Sequence, residues 1–130
     1  MALEGRRVRI VESDIPGPYN LLDLPEGHSV TFVATRYQVG RAIREVRTRE
    51  GVERIAGPIM RVYVRLDTPV FGAPYLDILA GRTIAMLEAL FRELGLPLRI
   101  TLTASGVEPQ KWYEVSYEKL GPPPGSPLPV

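Results

Sequence analysis

Met60, Val62, Val64 and Leu66 alternate with Arg61, Tyr63 and Arg65, and Leu98, Ile100 and Leu102 alternate with Arg99, Thr101 and Thr103. Successive side chains of a strand point to opposite faces, so a period of two marks a strand with one apolar side. Two such segments demand a sheet, and something apolar to cover it. The stretch between them supplies a cover. Leu76, Ala80, Thr83, Ile84, Leu87, Leu90, Phe91 and Leu94 recur at helical spacing and form one apolar stripe. Gly95 followed by Pro97 stops a helix. Pro74 suits a first helical position, so the pattern predicts one long helix from Pro74 to Leu94. Gly81 lies inside that span at a cost of about 1 kcal/mol relative to alanine. It marks either a close backbone approach or a later helix start at Arg82, with Tyr75 to Leu79 extended. The unbroken periodicity favours the single long helix.

Other segments complete the sheet. Arg7 to Val11 alternates and reads as a first strand. Asp14 to Gly27 carries Pro16, Gly17, Pro18, Pro25 and Gly27 and reads as a loop, with a turn of helix at Leu21 and Leu22. Ser29 to Tyr37 is rich in β-branched and aromatic residues, a second strand that Gly40 is expected to break. Arg41 to Arg49 is read as strand, turning through Arg49-Glu50-Gly51-Val52 into a strand from Val52 to Ile55. Ala104 to Gln110 is a loop, and Trp112 to Glu118 closes the sheet. The expected fold is therefore α+β: a mainly antiparallel sheet of five to six strands, covered on one face by one long helix. Residues 1–120 form a single domain, and 121–130, with five prolines and two glycines, a Pro-rich tail. The element order from Ser29 to Glu118 is also that of an OB-type barrel, with Arg7 to Val11 as an added edge strand.

Composition removes several classes of function. The chain of 130 residues contains no cysteine, which excludes disulfides, thiolate metal sites and a cysteine nucleophile. Met1 to Arg9 has no signal-peptide pattern, and the longest nearly uncharged stretch, Thr68 to Ala80, is too short to span a bilayer. A cytoplasmic protein with no membrane partner is expected. Fourteen of the sixteen basic residues are arginine, asparagine occurs once and glutamine twice, and there are 13 prolines. That balance points to a thermophilic source, although a GC-rich genome favours the same residues.

Net charge is only +1, yet the eight arginines between Arg36 and Arg65 meet just three glutamates. Two places gather them. The first is the polar side of the sheet, with Arg61, Tyr63 and Arg65 on one strand, Arg99, Thr101 and Thr103 on another, and Arg7 and Arg9 on a third. Arginines there would neutralise phosphates and Tyr63 would stack on a base. An ordinary solvated face has the same composition. The second is the hairpin carrying Arg36, Arg41, Arg44, Arg47, Arg49 and Arg54. The guanidinium fork matches phosphate well, but Glu45, Glu50 and Glu53 are interleaved and would pair with it.

The remaining candidates are weaker. His28 is the only histidine, and the nearby Asp14, Asp23 and Glu26 lack metal-loop spacing, so neither metal nor cofactor is expected. Asp67 and Asp77 flank a Pro-Gly loop and would serve acid–base work, or else make a turn and favour a helix dipole. Thr103-Ala104-Ser105-Gly106 is not a nucleophile elbow. The sequence thus points to a small non-enzymatic module binding RNA or single-stranded DNA, as part of a larger assembly, through Arg61, Tyr63, Arg65 and Arg99, then Arg44 and Arg47. Two alternatives stay open. One is a self-associating homo-oligomeric module using Val70, Phe71 and Tyr75. The other is an enzyme built on Asp67, Asp77, His28 and a tyrosine.

Overall fold

The structure, a computed structural model, describes residues 8–106 and 111–120. Arg7, part of the expected loop before Trp112 and the Pro-rich tail lie outside them. Six strands and one helix follow in the order β1 (Val8–Ser13), β2 (Ser29–Thr48), β3 (Gly51–Val64), β4 (Tyr75–Ile78), α1 (Gly81–Leu94), β5 (Leu98–Ser105) and β6 (Trp112–Lys119). All six strands join one antiparallel sheet in the order β4-β3-β2-β5-β6, with β1 beside β2. The architecture is α+β.

β2 organises the sheet. Its first part, Ser29 to Ala34, pairs with β5, and from Ala34 to Thr48 it pairs with β3. Beyond a bulge after Ala34 it leaves β5 and continues outward. There β1 takes the edge that β5 held, pairing with Ala42 to Val46. Residues 41–58 with β1 thus make a three-stranded arm. Gly40 does not break this strand. A Cβ at Gly40 would stand 2.9 Å from the Cβ of Asp14. Asp14 in turn accepts the Arg41 N–H at 2.9 Å and donates its own N–H to the Arg41 carbonyl at 3.0 Å. The glycine admits the chain leaving β1. The expected strands Val52 to Ile55 and Ile59 to Leu66 are likewise one strand, β3. It ends at Val64, and the turn that follows leaves Leu66 82% exposed rather than facing the core.

The expected long helix divides in two. Tyr75 to Ile78 is extended and pairs with Met60 to Tyr63, and α1 begins only at Gly81. Leu76 and Ile78 are fully buried, and Asp77 lies between them opposite Arg61. Leu76 fits a period of two as well as a period of 3.6, so its spacing could not separate a strand from a helix. The stop is as the sequence predicts: Gly95 takes φ 78° and donates its N–H to the Phe91 carbonyl.

The main core holds Phe32, Met60, Val62, Leu76, Ile100 and Leu102 from the strands and Ile84, Leu87 and Phe91 from α1. Each of these large side chains contributes roughly 1.5–3 kcal/mol by leaving water. The same face of α1 carries Thr83, whose hydroxyl accepts the Tyr113 N–H at 3.1 Å and lies 3.5 Å from the Tyr113 carbonyl. Thr83 thereby satisfies backbone groups of β6 that would otherwise need a neighbouring strand. A second cluster, Ile15, Ala42 and Ile59 with Ile10, Tyr19 and Leu79 against it, is built around the other side of β2 and β3.

Candidate ligand-binding cleft

The second cluster changes the meaning of the polar stripe on β3. Residues after β1 cross that side of the sheet, anchored by Ile15, which is fully buried. Beneath them Arg61 is only 6% exposed, where the sequence pattern had placed it in water. Its Nε donates to Asp77 Oδ1 at 2.7 Å, and its Nη2 donates to Asp77 Oδ2 at 3.0 Å and to the Pro18 carbonyl at 3.1 Å. The guanidinium also stacks over the Tyr75 ring at 4.1 Å. The hydrogen bond from Asp77 raises the Arg61 pKa above its ordinary value, against burial, which lowers it. Asp77 Oδ2 accepts the Asn20 N–H at 2.8 Å as well, so this buried pair is satisfied and closed to a ligand. Leu21 and Leu22 form no helical turn. Leu21 bridges Asp77 in a parallel sense, extending the sheet beyond β4.

The other members of that stripe are occupied too. Arg65 donates to Asp67 Oδ1 at 2.6 Å, and the hydrogen bond holds the Asp67 carboxyl below its ordinary pKa. Arg99 lies 3.3 Å from Glu118. The Tyr63 ring is covered by the Arg36 guanidinium at 4.0 Å and meets Tyr75 edge-on at 6.3 Å. The carboxylates responsible are Asp77 across the ladder, Asp67 in the next turn and Glu118 on the neighbouring strand.

On the arm, Arg44 and Arg47 are separated. Three residues apart on a strand is an odd number, so they project to opposite faces. Arg47 is exposed, whereas Arg44 is half-buried and enters a cleft. Glu45 lies between two arginines, 3.0 Å from Arg9 and 3.4 Å from Arg54. The Arg9 hydrogen bond leads in pulling its pKa down.

The cleft lies between the arm and the body, with a volume of about 450 Å³. That falls within the range of small-ligand sites, roughly 300–1,000 Å³. The arm contributes Val8, Arg44, Val46 and Ile55, and the opposite wall includes Leu79, Gly81, Arg82 and Trp112. Its walls are largely apolar, and three cations reach it: Arg44, Arg82 and Lys111. Asp23 is the one carboxylate among the lining residues. Arg82 stacks its guanidinium 4.2 Å from the centre of the Trp112 ring. Lys111, whose side chain is 7% exposed, lies 3.0 Å from Asp23 and so ties the cleft floor to the loop before β2. The Tyr113 hydroxyl accepts the Leu24 N–H at 3.3 Å and braces the same loop.

Of the six predicted residues, only Arg44 lines this cleft. Arg82 and Trp112 were missed. The chain holds a single tryptophan, at the start of a strand and beside a lysine, and that was the available signal. Its pairing with the first turn of α1 depends on the helix starting at Gly81. The residues considered for an enzyme do not converge. Asp67 sits in an exposed turn, Asp77 is buried on Arg61, and His28 is exposed where its backbone meets Ala104. Among the described residues no group of three His, Cys, Asp or Glu side chains could hold a metal ion, and no helix is long and apolar enough to cross a membrane. No family model, no curated protein and no solved structure matches this chain.

Proposed function

We propose that the chain is a non-enzymatic module that binds single-stranded nucleic acid, RNA or DNA, in the cleft between the arm and the start of α1. The observation that carries this reading is the Arg82–Trp112 stack, with Arg44 across the cleft and Lys111 beside it. Indole and guanidinium planes accept a base of any identity, and Arg44 and Arg82 each accept a phosphate. A second line of support is an analogy of fold. The order β4-β3-β2-β5-β6, with the helix between β4 and β5, parallels the element order of an OB-type barrel, and we read the sheet as an open barrel of that kind with α1 over one side. Such barrels bind oligonucleotides between the loop joining their first two strands and the loop joining their last two. Here those are the end of the arm and the entry to β6, and the arm and that entry both line the cleft.

Trp112 is the only tryptophan, so its fluorescence reports the site alone. Titration with a homopolymeric oligonucleotide should quench it. The affinity should fall with salt at a log–log slope of about −1.4, for two phosphates on a single strand. Arg44→Ala and Arg82→Ala should each flatten that slope by roughly 0.7, and Arg47→Ala should leave it unchanged. Salt-independent quenching, or no quenching at low salt, would refute the reading.

A self-associating module is the second reading. Leu66 and Phe71, 82% and 56% exposed, stand on turns adjacent in sequence and favour it. Val70, expected on this surface with Phe71 and Tyr75, is buried at 1%. A strict monomer by light scattering across micromolar concentrations would remove this reading.

A further inference from the structure

We propose that a strand bound in the cleft continues past Trp112 into a second groove, where Glu114 selects a base that carries an exocyclic amino group. This inference rests on the cleft binding a single strand. Arg82 and Trp112 line both depressions, so the two meet at their stack. The second groove also measures about 450 Å³ and is lined further by Met86, Thr103, Glu114 and Ser116. Met86 is 41% exposed and lies four residues after Arg82, on the same helix face. Trp112, Glu114 and Ser116 share one face of β6, and Glu114 is the cross-strand partner of Thr103.

The chemistry of the two depressions differs. Three cations meet one carboxylate in the cleft, whereas in the groove Arg82 alone accompanies Glu114. Among the described residues no cation pairs with Glu114. An exposed carboxylate repels a phosphate and accepts from an amino group. The backbone of a strand therefore stays with Arg82 and the cleft, and a base enters the groove. The Met86 thioether and the Trp112 edge supply polarisable contact for its ring. Cytosine presents its amino group where uracil presents a carbonyl oxygen, so Glu114 separates the two.

The test uses the full chain, Trp112 fluorescence, and oligodeoxycytidine and oligodeoxyuridine of equal length. The cytidine strand should bind about fivefold more tightly, as one net hydrogen bond of ordinary strength at an exposed site gives. Glu114→Ala should bring the ratio close to one while both strands still bind. Equal affinities in the unaltered protein, or a preference that survives Glu114→Ala, would overturn the second groove and leave the cleft standing. Loss of salt-dependent binding for both strands would remove the cleft and the groove together.

Discussion

The guanidinium of Arg61 and the carboxylate of Asp77 lie side by side through two parallel hydrogen bonds, on residues paired across β3 and β4. Asp77 is fully buried and also holds the Asn20 N–H, while Arg61 holds the Pro18 carbonyl. The pair therefore fastens the segment after β1 to the sheet. Asn20 strengthens the same junction, its amide donating to the Val70 and Tyr75 carbonyls at 2.9 Å each. A residue that resembles a ligand contact in sequence is a fastener in the fold.

Removing one partner of a buried pair leaves the other charge uncompensated. Asp77→Ala should cost about 3–5 kcal/mol in urea denaturation. The double change Arg61→Met with Asp77→Leu removes both charges at similar volume and should cost clearly less than the single one. A double variant as unstable as Asp77→Ala would show that packing, not charge, governs the junction.

Gly40 should tolerate no side chain. The Asp14 Cβ is not the end of a flexible side chain, and its neighbours hold Asp14 on both hydrogen-bonding groups of Arg41. Gly40→Ala should destabilise by about 1–3 kcal/mol, the usual penalty of overpacking. Gly57, where an added Cβ meets nothing within 4 Å, is the control and should change little on Gly57→Ala.

The strongest alternations were legible because burial enforces them. Leu98, Ile100, Leu102 and Ala104 are buried and the residues between them are not, as their period predicts. On β3 the same rule identified the strand and misjudged its environment. Met60 and Val62 are buried, and so are Ile59 and Arg61 on the opposite side. Which side meets water depends on a loop whose Pro18 lies 43 residues before Arg61, and the local pattern contains no trace of it. Tyr75 to Ile78 failed for a related reason. Four residues with two apolar members fit either periodicity, and Asp77 resolves the choice only once Arg61 is known to lie opposite. The cleft was hardest to foresee, since its walls come from β1, β2, β3, β4, α1 and β6.

Thr83 should behave as a backbone cap rather than a helix residue. Thr83→Val keeps the shape and removes the hydroxyl that serves the Tyr113 N–H, leaving a buried group unsatisfied at about 1–3 kcal/mol. Thr83→Ser retains the hydroxyl and should recover most of that loss. Hydrogen exchange at the Tyr113 amide separates this role from simple packing: it should accelerate in Thr83→Val and stay slow in Thr83→Ser.

Asp67 and Glu45 set the acid response of the surface. Hydrogen bonds from Arg65 and from Arg9 hold their carboxyls below the ordinary range in the folded chain. Above the unfolded pKa both groups are ionised in either state, and their contribution to stability is complete. As pH falls toward the lowered folded values, the unfolded chain takes up protons first, so that contribution is lost on acidification. Both sites are exposed, so the effect is small and weakens with salt. Carboxyl NMR titration should find both midpoints below those of unpaired side chains. Arg65→Gln should raise Asp67 toward the ordinary range, since the Arg65 hydrogen bond is the largest cause of its lowering. Arg9→Gln should move Glu45 only part of the way, because Arg54 still pairs with it from β3. A Glu45 midpoint that recovers fully in Arg9→Gln would mean that Arg54 holds no charge-paired position on the arm.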